Sequence, residues 1–386
     1  MKIGFNLLFL WEGSGGTGTY VRGLLPALLR TNSDLSLTAF VSSHVPPDLF
    51  EEEWSREVEW VRWNLNISER RTLFAQMVGM PTVAARRRLD VLHSPANVGP
   101  LVTARTAKVV TLLDLIWLHE GEDSGLGSRA RRSMRIASLA SARAADRVLA
   151  ISRAAREDLV QTGGLNPASV DVTPLGVGAG DPPPGTPEGE LRDRLAIGNG
   201  PIVLSVAQKR RYKRLDTLIR ALAELDSSVW LVLPGTPTPH EEELRALAVQ
   251  LDVEDRVRFP GWVSEEDLNG LYRIATCFAL PSRIEGFGLP IVEAMRHGTP
   301  VACSNRSALP EVAGDAALLF DPEDQSAVTA AVRSLLDDAS LREQLVERGR
   351  RRSRELTWDQ TAASTLDSYR RAVAVRRRGL LRGVIG

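Results

Sequence analysis

At 386 residues the chain is longer than a usual single domain of roughly 100–200 residues, so two domains are expected. Its 48 Lys and Arg balance 48 Asp and Glu, which excludes an overall field drawing it onto nucleic acid and confines any charge attraction to local patches. No stretch approaches the ~20 uninterrupted apolar residues of a spanning helix, and Cys277 and Cys303 sit in apolar runs rather than at metal-ligand spacing, so a soluble, cytoplasmic protein with reduced core thiols is expected and an inter-strand disulfide is the alternative.

The run 2–10 (KIGFNLLFL) superficially resembles a short signal core. It passes into Trp11, Glu12 and glycines without a small-residue cleavage site, and reads as the first strand. A glycine-rich stretch, Gly13 to Tyr20, lies between this strand and a helix at 19–30 (TYVRGLLPALLR). Alone it suggests a dinucleotide fingerprint, which needs an acidic residue about 20 positions on to hold the ribose. The following strand ends instead in Ser42, Ser43 and His44.

Further apolar runs at 91–93, 108–115, 147–152 and 170–175 alternate with helical patterns, the βαβ rhythm of a parallel sheet. His93-Ser94-Pro95 and Thr111-Leu-Leu-Asp114 close consecutive strands and point at a common edge. Asp114 is expected to be a catalytic carboxylate alongside Glu285 and Lys213, although as a lone strand-end carboxylate it reads equally well as a loop or helix cap. Arg86 to Arg88, and Arg129, Arg131, Arg132 and Arg135 at helical spacing, form a basic face. It reads as a solvated helix surface, with peripheral contact to an anionic membrane as the alternative.

The segment 179–200, crowded with Gly and Pro around one short helical piece, reads as an inter-domain linker between domains at 1–178 and 201–367. The rhythm then restarts, giving a second doubly wound domain. The loop Gln208-Lys-Arg-Arg-Tyr-Lys213 follows its first strand. Further on, the strand CFALPS runs into Glu285-Gly-Phe-Gly-Leu-Pro-Ile-Val-Glu293, with Pro290 near a helix start and Gly298 past its end. A glycine-rich turn feeding a helix N-terminus offers unpaired amides and a positive dipole end, suited to a pyrophosphate. Glu285 would lie beside a sugar, and Glu293, two turns on, could accept hydrogen bonds from ribose hydroxyls. The acidic run Asp252 to Asp255 falls in a helix-to-strand connection and reads as solvated, so no metal site is expected.

The segment SRIEGFGLPIVEAMRHGTPVACSN, with ALPEVAGDAALLFDP after it, resembles glycosyltransferase family 4, and the resemblance extends over nearly the whole chain. It implies the GT-B architecture: two Rossmann-like doubly wound domains facing a cleft, an acceptor-binding domain at 1–178, a nucleotide-sugar domain at 201–367, and a C-terminal helix at about 368–386 returning to the first. It implies that Glu285 contacts hydroxyls of the transferred sugar, that Gly286, Phe287, Gly288 and Leu289 supply contacts to sugar and diphosphate, and that Glu293 binds the ribose. Lys213 corresponds to the lysine that grips the donor phosphates. Many members carry Gly-Arg where this chain has Ala207-Gln208, so a second phosphate cation falls to Lys209, Arg210 or Arg211. Gly15, Gly16 and Gly18 match a loop that approaches donor phosphate and acceptor, His93 and Ser94 a strand end lining the cleft. The family commonly writes T-x-H-D where Leu113 and Asp114 stand here. The implied activity is retaining, cofactor-free and metal-independent transfer from a GDP-, UDP- or dTDP-linked sugar to a glycan, lipid-linked or small-molecule acceptor. A mannosyl or 6-deoxyhexosyl group is the expected cargo. The alternatives are a sugar-nucleotide epimerase of the same fold, or a catalytically weakened subunit that binds sugar nucleotide.

Overall fold

A computed structural model describes residues 1–11, 15–65, 70–113, 115–119 and 127–385. The chain divides into two compact units, one built from Met1–Leu118, Leu126–Gly176 and Trp358–Gly386, the other mainly from Val177–Thr357.

The first unit carries β1 (Lys2–Leu7), β2 (Ser36–Ser42), β3 (Val58–Trp63), β4 (Val91–Ser94), β5 (Ala107–Leu112), β6 (Arg147–Ala150) and β7 (Val170–Val172). They form a seven-stranded sheet in the order β3-β2-β1-β4-β5-β6-β7, every neighbouring pair parallel. Parallel sheets carry helices on both faces, so their strands read as continuous apolar runs rather than alternating ones. All residues of β5 are buried accordingly.

The second unit holds β8 (Ile202–Leu204), β9 (Trp230–Pro234), β10 (Val257–Gly261), β11 (Cys277–Leu280), β12 (Val301–Ser304) and β13 (Ala317–Phe320), in the all-parallel order β10-β9-β8-β11-β12-β13. The order reverses between β1 and β4 in one sheet and between β8 and β11 in the other. Such switch points are where doubly wound sheets receive ligands, outside the carboxyl ends of the strands. Cys277 and Cys303 are both buried and free, and burial pushes each thiol up to about 12, so they are inert core residues. The inter-strand disulfide does not form: the β11–β12 register sets Leu280, not Cys277, opposite Cys303.

Residues 179–200, which composition presents as a linker, pack onto the second unit. Gly185 lies so near Gly270 that an added Cβ would come within 2.2 Å of the Gly270 nitrogen. Thr186 donates to Asp267 at 2.6 Å, and Leu191, on the helix Glu188–Leu195, is buried. Arg296 and Arg273 tie the preceding stretch through the carbonyls of Asp181 and Pro183 at 3.0 and 2.9 Å.

The chain returns to the first unit ten residues before the expected point of 368, at Trp358, where the helix Trp358–Ile385 begins. Gly23 makes the seat: a Cβ there would lie 2.1 Å from the Trp358 indole. Arg30–Asp359 and Arg376–Asp146, both at 2.7 Å, and Thr361 on the Pro174 carbonyl at 2.7 Å, fix the helix along its length.

Candidate active site

The carboxyl end of β11 leads through Pro281 to Gly288 into the helix Leu289–His297. Gly288 has φ +97°, and a Cβ at this position would lie 2.4 Å from Leu309 Cδ2, so both backbone and space require glycine. Pro290 occupies the first turn, where no amide hydrogen is needed, and Gly298 ends the helix in the left-handed conformation at φ +77°. Phe287 is buried and anchors the turn in the core, so the groups this stretch can offer a ligand are its backbone amides. Gly286 is also buried and Leu289 half-buried.

Lys213 ends the short turn Arg211–Lys213 after β8. The Arg283 amide donates to the Tyr212 carbonyl at 2.8 Å, joining this turn to the loop that carries Glu285. Beside that link, Lys213 Nζ bonds Glu285 Oε1 at 2.5 Å, with only 14% and 10% of the two side chains exposed. Ser282, wholly buried, donates to the same Oε1 at 2.7 Å. Ser307 donates to the Glu285 carbonyl at 2.7 Å from a left-handed backbone, φ 55°.

Two turns along the helix, Glu293 Oε2 accepts from the Tyr272 hydroxyl at 2.8 Å. Burial raises the Glu293 carboxyl above its usual range and the charge of Glu265 adds to this, while the Tyr272 bond opposes it. His297 stacks on Tyr272 with centroids 5.2 Å apart and bonds the Glu293 carbonyl at 2.8 Å. Ser307 and Tyr272 escape a reading of the sequence because their partners come from another loop and another helix, whereas Ser282 meets Glu285 only three residues on in the same loop.

The basic run separates into different roles. Gln208 is exposed. Lys209 is fully buried, its Nζ donating to the carbonyls of Gly235 at 2.9 Å and Ala207 at 3.3 Å, and burial lowers its ammonium to about 8. It is an internal tie between the ends of β8 and β9, which corrects its expected place as a phosphate cation. Arg210 is half-buried, and Arg211 is ion-paired with Glu243. Arg214, at φ 52°, pairs with Glu323, which also holds Arg283 at 3.0 Å.

In the first unit, Gly15, Gly16 and Gly18 belong to the first turns of the helix Gly15–Thr31, not to a loop preceding it. Gly16 is exposed, and a Cβ there would meet nothing within 4 Å. His93 does not line a cleft. It is wholly buried between Tyr369 of the C-terminal helix, 2.7 Å from Nδ1, and Thr111, 2.7 Å from Nε2. Burial lowers its imidazole to about 3 and keeps it neutral. Ser94 is buried as well, accepting from Asn6 at 3.3 Å, so it too is removed from an acceptor-lining role. Leu113 is half-buried at the end of β5, and Asp114 lies outside the described residues. Arg129, Arg132 and Arg135 are exposed on the helix Ser128–Ala144, with Arg131 half-buried. An apolar groove of about 750 Å³, lined by Trp63, Leu65, Phe74, Val78 and Val83 with Arg71 and Arg86, contains none of the groups above.

Two all-parallel, doubly wound units, one with a glycine turn and helix N-terminus beside a Lys–Glu pair at its sheet's switch point, define the GT-B architecture. The model described as Glycosyltransferase Family 4 matches residues 14–179, and that described as Glycosyl transferases group 1 matches 188–352. The chain belongs to glycosyltransferase family 4. It is 41% identical over 140 residues to the O-antigen chain mannosyltransferase B of Escherichia coli, covering 36% of this chain and 37% of that protein. It is 34% identical over 255 residues to the D-inositol 3-phosphate glycosyltransferase of Kineococcus radiotolerans, with 60% and 59% covered. With the MMP alpha-(1->4)-mannosyltransferase of Mycolicibacterium hassiacum it shares 34% over 238 residues, with 60% and 56% covered. The chain thus spans less than two thirds of these relatives' lengths. Among solved structures, sucrose-phosphate synthase from Thermosynechococcus elongatus shares the fold with a TM-score of 0.76 at 23% identity, over 97% of this chain and 99% of that one. Anabaena HepE, solved with UDP-glucose, shares it with a TM-score of 0.75 at 20% identity, over 95% and 100%.

Proposed function

We propose that the chain is a retaining, metal-independent glycosyltransferase that moves a sugar from a nucleotide diphosphate to an acceptor hydroxyl. The observation that carries this reading is the Lys213–Glu285 pair beside the Gly286–Gly288 turn and the N-terminus of the helix Leu289–His297. A diphosphate at that N-terminus would meet amides and a positive dipole end, and Lys213 would supply a full cation to the departing phosphate. Glu285 would hold hydroxyls of the transferred sugar and Glu293 those of the ribose. Charge on the leaving group is then met without a divalent ion.

The reaction is proposed to proceed on one face of the sugar. The bond from C1 to the phosphate oxygen breaks as the acceptor oxygen bonds C1 from the same side, and the acceptor proton passes to the departing phosphate oxygen. Double displacement through a protein nucleophile would also retain configuration, but it requires a placed carboxylate to attack C1. Glu285 Oε1 is instead engaged by Lys213 and Ser282, and the role proposed for this carboxylate is to hold the sugar's hydroxyls.

The names of the mannosyl-transferring relatives favour a hexose-type donor, and HepE with UDP-glucose is a precedent for a nucleotide-sugar ligand on this fold. Leu113, standing where the family commonly has histidine, favours a donor without a 6-hydroxyl. The acceptor is a glycan, a lipid-linked sugar or a small molecule, and the exposed arginines of the helix Ser128–Ala144 are the proposed surface for peripheral membrane contact. Thermal-shift screening against nucleotide sugars tests the donor class directly, since a ligand at 100 times its Kd adds about 2.7 kcal/mol of stability. A panel without any stabilising nucleotide sugar contradicts the reading.

A further inference from the structure

We propose that Ser282 is a positioning residue for Glu285, one that fixes the plane of its carboxylate so that the oxygen left over is aimed at the sugar. The inference rests on the transfer reading above and adds to it a residue that neither glycine turn nor basic loop contains. Two donors, Lys213 Nζ and Ser282 Oγ, converge on Oε1, at 2.5 and 2.7 Å. Oε2 receives no hydrogen bond from any described residue. The terminal torsion of a glutamate is broad, so the plane of the carboxylate wanders unless one oxygen is held. Held at Oε1, the carboxylate presents Oε2.

The two donors are not equivalent. A lysine that engages a diphosphate shares its charge between that group and Glu285, and its bond to Oε1 weakens when the donor sugar arrives. The Ser282 hydroxyl has no such competitor: it is wholly buried at the end of β11, where a hydroxyl requires a partner, and Glu285 is the acceptor it finds. Ser307 completes the hold from a second loop, donating to the Glu285 carbonyl from a left-handed backbone that non-glycine residues rarely adopt. Side chain and backbone of Glu285 are therefore fixed by serines from two different connections. Lys213 is the member whose charge a donor diphosphate would share.

The test compares wild type, Ser282→Ala, Glu285→Gln and the double variant, with Ser282→Thr as the hydroxyl-keeping control, on any nucleotide sugar that wild type turns over. Ser282→Ala lowers kcat roughly 10- to 100-fold, the range for a hydrogen bond to a charged group, with donor KM changed by less than about threefold. Ser282→Thr recovers most of the loss, and Ser282→Ala adds less than about twofold on top of Glu285→Gln because its action runs through that carboxylate. A rise in KM with kcat intact, or an undiminished effect in the Glu285→Gln background, overturns the proposal. If wild type turns over no donor, the transfer reading fails by itself. The same four proteins then decide Ser282 by thermal unfolding: non-additive shifts in Tm support the hold and additive ones overturn it. Should Ser282→Ala not fold, the near-isosteric Ser282→Cys takes its place in both measurements.

Discussion

Lys213 and Glu285 come from loops 72 residues apart and meet at 2.5 Å, in a pocket of structure that leaves each side chain less than one-sixth exposed. In the proposed reaction the cation faces charge that grows as the glycosidic bond breaks, so its contribution is larger in the transition state than in the ground state. Lys213→Ala is expected to lower kcat as well as kcat/KM, by about 100-fold or more, as for other lost electrostatic stabilisers. Steady-state kinetics with a saturating donor check this, and a change confined to KM would remove the transition-state role.

Glu293 has a different part in the proposed reaction, because the ribose contacts assigned to it there would act equally before and during the transfer. Glu293→Ala is expected to raise donor KM roughly 10-fold with kcat nearly kept. The more conservative Glu293→Gln carries a stability signature too. Burial raises this carboxyl, so the folded state binds its proton more tightly than the unfolded chain, and the charged form costs stability as pH rises past the usual carboxylate range. Glu293→Gln, which keeps an acceptor for Tyr272, is expected to raise Tm at neutral pH, with the gain vanishing toward pH 4. Melting curves across that range that show no such convergence would contradict the assignment.

His93 supplies the opposite sign. Its imidazole is lowered from 6.5 to about 3, so the unfolded chain takes up a proton that the folded chain refuses as pH falls between those values. Stability from this group is complete above pH 6.5 and is lost below it by up to about 1.4 kcal/mol per pH unit. His93→Gln, able to bond both Thr111 and Tyr369, is expected to flatten the acid limb of the stability profile. Identical slopes for variant and wild type would show that another group governs it.

In the proposed donor site, Leu113 would bear on donor choice. A sugar hydroxyl placed against leucine is buried without a partner, at about 1–3 kcal/mol, or roughly 5- to 150-fold in kcat/KM. Wild type is expected to prefer a 6-deoxysugar or pentose donor over the matching hexose, and Leu113→His to narrow or reverse that preference. Paired donors differing only at C6 give the ratio, and a wild-type preference for the 6-hydroxylated sugar defeats the idea.

The turn at Gly286 to Gly288 was legible in the sequence because its determinants are local: a glycine needed at φ +97°, a proline in the first helical turn and a glycine at its end. Both parallel sheets were legible for a similar reason, since strands covered on two faces read as short apolar runs. The environment of His93 was not. In such a strand neither face is marked as solvent, and its partner Tyr369 stands 276 residues away. Lys209 sits in a basic run that looks solvated throughout, and only the carbonyls of Ala207 and Gly235 reveal it as buried. The stretch 179–200 has a linker's composition, yet one of its glycines is there for close approach to Gly270. Tyr272 carries no local signal, because its acceptor Glu293 lies on another helix 21 residues away, whereas Ser282 stands only three residues before Glu285 and the loop's conformation sets the two together.

The central claim is transfer with retained configuration and without a metal. Its most direct test is proton NMR of the anomeric position in the product, formed from a donor of known anomer in the presence of EDTA. The account predicts turnover undiminished by the chelator and a product anomer matching the donor's. An inverted product, or turnover abolished by EDTA and restored by Mg²⁺ or Mn²⁺, would contradict it.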